Sequence, residues 1–318
     1  MSYDLLSLGE TMIALAPPAG VSLRDAEQLV VDHAGAESNT CVGVARLGFS
    51  AAWVSCLGND GAGSRILNAL AAEGVDTRWV RRDPERPTGM MLKDADAGVR
   101  YYREGSAASA MGPDILDGVP VSDARAVLVT GVTALIGSRP QAAGLALLDR
   151  ARGLRIVDPN LRNGLWGSDR RRELILPFVE RCDLLLAGDG ELAEIVGSGL
   201  SAVARGERET QAKADGSGGS EHAEALARRA AERGPREIVV RSAATVGVLA
   251  DGSWTQLDIR RDAAAVDPIG AGDAFNAGYI AARLSGATVD VALRAGARCG
   301  AAVTTALSDT AAFPRSLD

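Results

Sequence analysis

The run Asp267-Pro268-Ile269-Gly270-Ala271-Gly272-Asp273-Ala274-Phe275 carries the densest chemistry in the sequence. Two glycines frame an alanine, so the backbone can approach a ligand with no side chain in the way. Apolar spacing predicts a helix from residue 271 to 284. The N–H groups at its start have no partner within the helix, and with the helix dipole they make an anion site. Asp273 then falls in the first turn beside that site. A carboxylate there can take the proton of an attacking hydroxyl, while the N–H groups of Gly270, Ala271 and Gly272 receive the charge of a migrating phosphoryl group. The plainer alternative is a glycine-rich turn whose Asp stabilises its own helix.

Arginine supplies nearly all the positive charge. The lysines are Lys93 and Lys213 alone, and the histidines His33 and His222. No G-x-x-x-x-G-K-[ST] occurs, which excludes a P-loop nucleotidase, and no V-A-I-K with a later D-F-G, which excludes a protein kinase. Zinc sites and Ser-His-Asp triads lack ligands and bases. Gly9-Glu10 opens no G-x-G-x-x-G helix, which disfavours a dehydrogenase. Arg103 and Arg162 stand out because a guanidinium fork matches a carboxylate bidentately; ordinary ion pairing is the alternative. Arg162 could also serve nucleotide phosphates, and Arg241 could contact phosphate as a lysine does.

Short apolar strands alternate with helices along most of the chain, which predicts a mostly parallel sheet covered on both faces. Strands are expected at 5–8, 12–15, 51–57, 126–130, 154–157, 184–186, 237–240, 246–250 and 254–257. Helices are expected at 37–47, 61–72, 140–152, 169–180, 191–196, 223–233, 271–284 and 289–307. The span 88–103 reads as a hairpin outside the alternation, hence a flap or lid. Residues 199–221 are polar and Gly/Ser-rich and read as a flexible insertion. The motifs fall at strand-to-helix junctions, where ligands bind in such sheets.

The chain has 318 residues, 47% apolar and 24% charged, with a net charge of −7. That is ordinary globular composition, and it argues against a nucleic-acid or anionic-membrane surface. The cysteines Cys41, Cys56, Cys182 and Cys299 are scattered and read as buried reduced thiols. The first residues lack the pattern of a signal peptide, and no apolar run reaches membrane-spanning length. The expectation is a soluble cytoplasmic protein.

The 267–275 run resembles the C-terminal signature D-[TP]-x-G-A-G-D-A-F of the ribokinase-like (PfkB) sugar kinases. Ala34-Gly35-Ala36-Glu37-Ser38-Asn39 resembles that family's G-G-x-x-x-N helix start, and Gly58-Asn59-Asp60-Gly61-Ala62-Gly63 its G-x-D-x-x-G. The resemblance spans nearly the whole chain in consistent order. It implies one Rossmann-like three-layer α/β/α domain, 1–318, with a small β-sheet lid from about 11–33 and 88–104, and it implies ATP and Mg2+. Within the family, Gly35–Asn39, Tyr101–Ser109 and Asp158–Trp166 look like 2-keto-3-deoxygluconate kinases. The resemblance makes Gly35, Asn39, Tyr102, Arg103, Arg162 and Asp273 candidates for the sugar. It makes Asn160, Arg241, Gly270, Gly272 and Gly300 candidates for the nucleotide, and Glu191 a candidate for ordering metal-bound water. Where neutral-hexose members often place an Asp, this chain has Ala14. The small residues around Gly300 suit either adenine or close helix packing. Tyr101 and Tyr102 should put one ring inward and one outward.

Gly188 stands where the family has Asn, Ala243 and Ala34 where it has Gly, and Met91 where some ketodeoxygluconate kinases have Tyr. The expected reaction is phosphorylation of 2-keto-3-deoxygluconate to its 6-phosphate. The alternatives are a fructokinase or ribokinase-like specificity, or a sugar-binding homologue with impaired catalysis. Lid-to-lid dimers in the family make a homo-oligomer an expectation.

Overall fold

The computed structural model describes residues 2–18, 20–94, 98–161, 167–197, 218–259, 270–304 and 310–316. Its first half contains β1 (Leu5–Leu8), β2 (Met12–Ala16), β3 (Val30–Ala34), α1 (Ala36–Arg46), β4 (Ala51–Gly58), α2 (Gly61–Ala72), β5 (Val80–Asp83), β6 (Met90–Asp94), β7 (Gly98–Tyr102) and β8 (Ala126–Thr130). Then follow α3 (Gly131–Leu135), α4 (Ser138–Arg150), β9 (Leu154–Asp158), α5 (Ser168–Val179), β10 (Leu184–Gly188), α6 (Asp189–Val196) and α7 (Gly218–Ala231). The chain continues through β11 (Glu237–Arg241), β12 (Thr245–Ala250), β13 (Ser253–Asp258), α8 (Ala271–Leu284) and α9 (Val289–Val303).

The large sheet runs β13-β12-β11-β10-β9-β8-β1-β4-β5. It is parallel from β5 to β11, and β12 and β13 add an antiparallel edge. Its inner strands are near-continuous apolar runs because both faces are covered. Leu6, Val127, Val129 and Leu185 pack on one face with residues of α4, α5, α6 and α7. Leu5, Leu128, Leu184 and Leu186 pack on the other with residues of α1, α8 and α9. Each fully buried side chain of this size contributes about 1.5–3 kcal/mol. These two apolar faces therefore hold the sheet, and its polar strand ends are left for chemistry.

A second sheet runs β3-β2-β6-β7, with β2 and β6 parallel and the outer pairs antiparallel. It leaves the large sheet through Gly9–Thr11, just past the end of β1. The expected hairpin is β6 and β7.

Three elements escaped the sequence reading. β3 and β5 are rich in exposed or charged side chains at sheet edges, so they lack an apolar signature. α3 is a single turn following β8 directly. The stretch 199–221 lies outside the described residues through 217, and Gly218–Glu221 already belong to α7, which corrects the reading of those four residues as insertion. α9 ends at Val303, and residues 305–309 of the expected helix are outside the described part. The cysteines are free, and burial pushes the Cys41 thiol up to about 12. Among the described residues no helix is long and apolar enough to cross a membrane.

Candidate active site

Parallel strand order brings the carboxyl ends of β1, β8, β9, β10 and β11 to one edge, with Thr130 level with Asp158 and Gly188 level with Arg241. The start of α8 faces this edge. Gly270 caps that helix at φ 84°, a left-handed conformation that glycine adopts at low cost. The next N–H groups, of Ala271 and Gly272, have no acceptor within the helix. Asp273 follows in the first turn and is 6% exposed.

Asp273 is oriented from α1. Asn39 Nδ2 donates to Asp273 Oδ2 at 2.8 Å, and the Asn39 Oδ1 is buried with no donor. α1 can reach this far because it starts tight against the β1 outlet. A Cβ on Gly35 would lie 2.5 Å from the Glu10 carbonyl oxygen and 2.6 Å from Thr11 Oγ1. Gly35 is thus required by backbone packing, whatever else approaches it.

Beneath α8 lies a buried polar cluster. Arg241 Nη1 donates to the Gly272 carbonyl at 3.2 Å and to Asn276 Oδ1 at 2.7 Å. Its Nη2 donates to Asp158 Oδ2 and to the Leu186 carbonyl, both at 3.2 Å. Asn276 Nδ2 closes the circuit on Asp158 Oδ2 at 2.6 Å. Burial opposes the arginine's charge, but Asp158 and Glu191 outweigh it and raise the Arg241 pKa above its ordinary value. Burial and the neighbouring Asp158 push the Glu191 carboxyl up in turn. Glu191 accepts the N–H groups of Leu161 and Gly188, each at 2.8 Å, so it ties β10 to the loop after β9. Asn160 takes φ 38° there and donates its N–H to Asp158 Oδ1 at 2.9 Å.

Just past the end of β1, Glu10 forms an ion pair with Arg103, their side chains 1% and 9% exposed. Ser106 Oγ donates to Glu10 Oε1 at 2.9 Å. Arg103 Nε is buried with no acceptor among the described residues, and its guanidinium lies 5.6 Å from the Tyr101 ring centre. Tyr101 packs against Met12, Ala14, Ala34 and Met91, whereas Tyr102 is 54% exposed. The alternation held, but the ring turned toward the cluster is Tyr101, not the Tyr102 named from sequence.

The structure therefore brings Asp273, Asn39, Gly270, Ala271, Gly272 and Arg241 together, with Asn160 and Glu191 close by. Arg103 lies on the small-sheet side, and Arg162 is outside the described residues. Gly300 fits the helix-packing alternative, since a Cβ there would lie 3.1 Å from the Ala271 carbonyl. Sequence reasoning missed Glu10, Ser106, Asp158 and Asn276. Asn276, three residues past Asp273 on the same helix face, was the one with a readable spacing.

The N–H groups at the start of α8 suit a phosphate, because they point away from the helix unpaired. Among the described residues no group of three or more His, Cys, Asp or Glu could hold a metal ion. With Glu191 engaged by two backbone N–H groups, the described residues fit a hydrated divalent ion carried on nucleotide phosphates rather than a protein cage.

Comparisons with known proteins agree with this geometry. Residues 3–315 match the pfkB family of carbohydrate kinases. A 2-dehydro-3-deoxygalactonokinase of Haloferax volcanii is 30% identical, covering 98% of this chain and 94% of that protein. A 2-dehydro-3-deoxygluconokinase of Bacillus subtilis is 29% identical over 99% of this chain and 93% of that one. Among solved structures, a PfkB protein from Polaromonas sp. JS666 superimposes with a TM-score of 0.81 at 31% identity, covering 96% and 98% of the two chains. An Escherichia coli putative ribokinase II solved with ATP and Mg2+ gives 0.82 at 21% identity over 99% and 96%, a likeness of fold. A buried carboxylate at a glycine-capped helix start, on a ribokinase-like fold and under a whole-length match, makes the conclusion plain: the chain belongs to the pfkB family of carbohydrate kinases.

Proposed function

We propose that this kinase uses ATP and Mg2+ to phosphorylate a primary hydroxyl of a small sugar acid, with 2-keto-3-deoxygluconate as the substrate and its 6-phosphate as the product. The observation that carries the proposal is Asp273, buried beside the unpaired N–H groups of α8 and aimed by Asn39. Asp273 takes the hydroxyl proton as the oxygen attacks the γ-phosphorus and the bond to ADP breaks. The N–H groups of Gly270, Ala271 and Gly272 receive the developing negative charge. Magnesium, when bound, adds positive charge beside the donor phosphates. Closure of the small sheet excludes water and limits ATP hydrolysis.

Three things support an acidic substrate. Arg103 has a buried Nε–H awaiting an acceptor. The Ala14 position puts an apolar side chain, not a carboxylate, in the same cluster as Tyr101. Full-length relatives bear the names of ketodeoxy sugar acid kinases. Arg103 holds the substrate carboxylate together with Arg162.

The second reading is a neutral-sugar kinase, and the observation in its favour is that Glu10 already cancels the charge of Arg103. Coupled ADP release with 2-keto-3-deoxygluconate, 2-keto-3-deoxygalactonate, fructose and ribose separates the two. The sugar acids should give the highest kcat/KM; a higher value for fructose or ribose rejects the acidic-substrate reading. Asp273→Asn should lower kcat by at least about 100-fold with the protein still folded. Undiminished turnover would remove Asp273 from its role.

A further inference from the structure

We propose that Glu10, held by Ser106, is a positioning residue for Arg103 that makes recognition of a substrate carboxylate depend on hydrogen-bond geometry and not on net charge. The proposal rests on the acidic-substrate reading above. Its basis is an incomplete hydrogen-bond set. Glu10 is almost wholly buried just past β1, where a free carboxylate would be costly. One of its oxygens takes Ser106 Oγ at 2.9 Å, and the other takes Arg103 Nη2. Gly89 is forced by the same carboxylate, since a Cβ there would lie 2.6 Å from Glu10 Oε1. The Glu10 backbone, through Gly35, is also where α1 sets out toward Asn39 and Asp273. The guanidinium is therefore gripped at one nitrogen, with Tyr101 beside it, by groups fixed relative to the catalytic carboxylate.

What the grip leaves over points to a ligand. Arg103 Nε–H is buried and lacks an acceptor among the described residues, a costly state for a charged donor unless something fills it. With Glu10 cancelling the charge, the pair has little long-range pull on any anion. It offers instead a directed donor at short range. A planar carboxylate satisfies that donor well, and a lone hydroxyl less so.

The test compares wild type, Glu10→Ala, Glu10→Gln and Ser106→Ala, with KM and kcat measured separately for 2-keto-3-deoxygluconate, fructose and ATP. Glu10→Ala should raise KM for the sugar acid by at least about 10-fold, the scale of one charge-assisted hydrogen bond. The KM values for fructose and ATP should stay within about twofold, the spread of an unaffected constant. Glu10→Gln keeps an acceptor oxygen for Arg103 and should recover most of the acid KM. If Glu10→Ala does not fold, Ser106→Ala gives the same split at roughly threefold, because it loosens Glu10 without removing it. A merely structural role would move all three KM values together, and that outcome, or an unmoved acid KM, overturns the proposal. A wild type that prefers fructose rejects the acidic-substrate reading and this inference with it. A wild type that prefers the acid with an indifferent Glu10→Ala rejects the inference alone.

Discussion

Two buried arginines, Arg241 against the first turn of α8 and Arg103 against Glu10, differ in what their hydrogen bonds leave undone. Arg241 gives four hydrogen bonds, to Asp158, Asn276 and the carbonyls of Gly272 and Leu186. All four acceptors belong to the protein. Among the described residues Arg103 donates only to Glu10, and its buried Nε–H has no acceptor. Both were named from sequence as ligand contacts, Arg241 for phosphate and Arg103 for a sugar carboxylate. The comparison separates them: Arg241 gives both terminal nitrogens to the protein, whereas Arg103 keeps a buried Nε–H for the ligand proposed above. Arg241 joins β9, β10 and β11 to the first turn of α8 and so fixes the Gly272 peptide.

Removing each arginine is the sharpest test. Arg241→Met leaves the buried Asp158 without its counter-charge, which should cost about 3–5 kcal/mol of folding stability. Denaturant unfolding measures that loss. The surviving activity should fall alike for every sugar, because the helix start serves them all. A selective rise in KM for ATP at unchanged stability would return Arg241 to the role of phosphate ligand. Arg103→Met should instead lower kcat/KM for sugar acids by about 10- to 100-fold, the worth of a hydrogen bond to a charged group, and spare fructose. Because Arg103→Met also strands Glu10, Arg103→Met with Glu10→Gln should restore the lost stability without restoring selectivity for acids. Equal losses on acidic and neutral sugars would erase the distinction between the two arginines.

This difference could not be read in the sequence, and the reason is physical. The string around Asp273 is local: glycine at a left-handed cap, then a carboxylate in the first turn, all within a few residues. The mostly parallel, doubly covered sheet was legible for a similar reason, since β1, β8 and β10 are apolar runs that only such a sheet explains. Hydrogen-bond completeness is non-local. The partner of Arg103 lies 93 residues away, and Asp158 lies 83 residues from Arg241. Glu10 carried no signal because it follows a strand as any surface residue could. The choice between Tyr101 and Tyr102 was open to one residue of register, which flips every side chain across a sheet. β3 and β5 went unseen because edge strands need only one apolar face, and here that face is short.

Asp60 offers the smallest and most local way to sharpen the contrast, because it ties the start of α2 to the chain entering the small sheet. Its carboxylate caps α2 by accepting the Gly63 N–H at 2.7 Å, and it accepts the Thr88 N–H and hydroxyl at 2.8 Å each, just before β6. Burial works against its charge, yet the Thr88 and Gly63 bonds hold its pKa below the usual carboxylate value. A carboxylate with a depressed folded pKa contributes stability that is present above its unfolded pKa and lost as pH falls through the folded one. Asp60→Ala should therefore cost about 1 kcal/mol at neutral pH, the worth of a helix cap. The gap to wild type should narrow as the pH drops below the carboxylate range, and thermal unfolding across pH 2–7 reads it, a window set around the usual carboxylate value of about 4. Thr88 leads into β6 and so toward the Arg103 side, and among the described residues no bond of Asp60 reaches α8. The variant should thus raise KM for the sugar, leave KM for ATP unchanged, and make Arg103→Met less damaging when combined with it. Full additivity of the two would mean that the small sheet does not depend on this anchor to place its arginine.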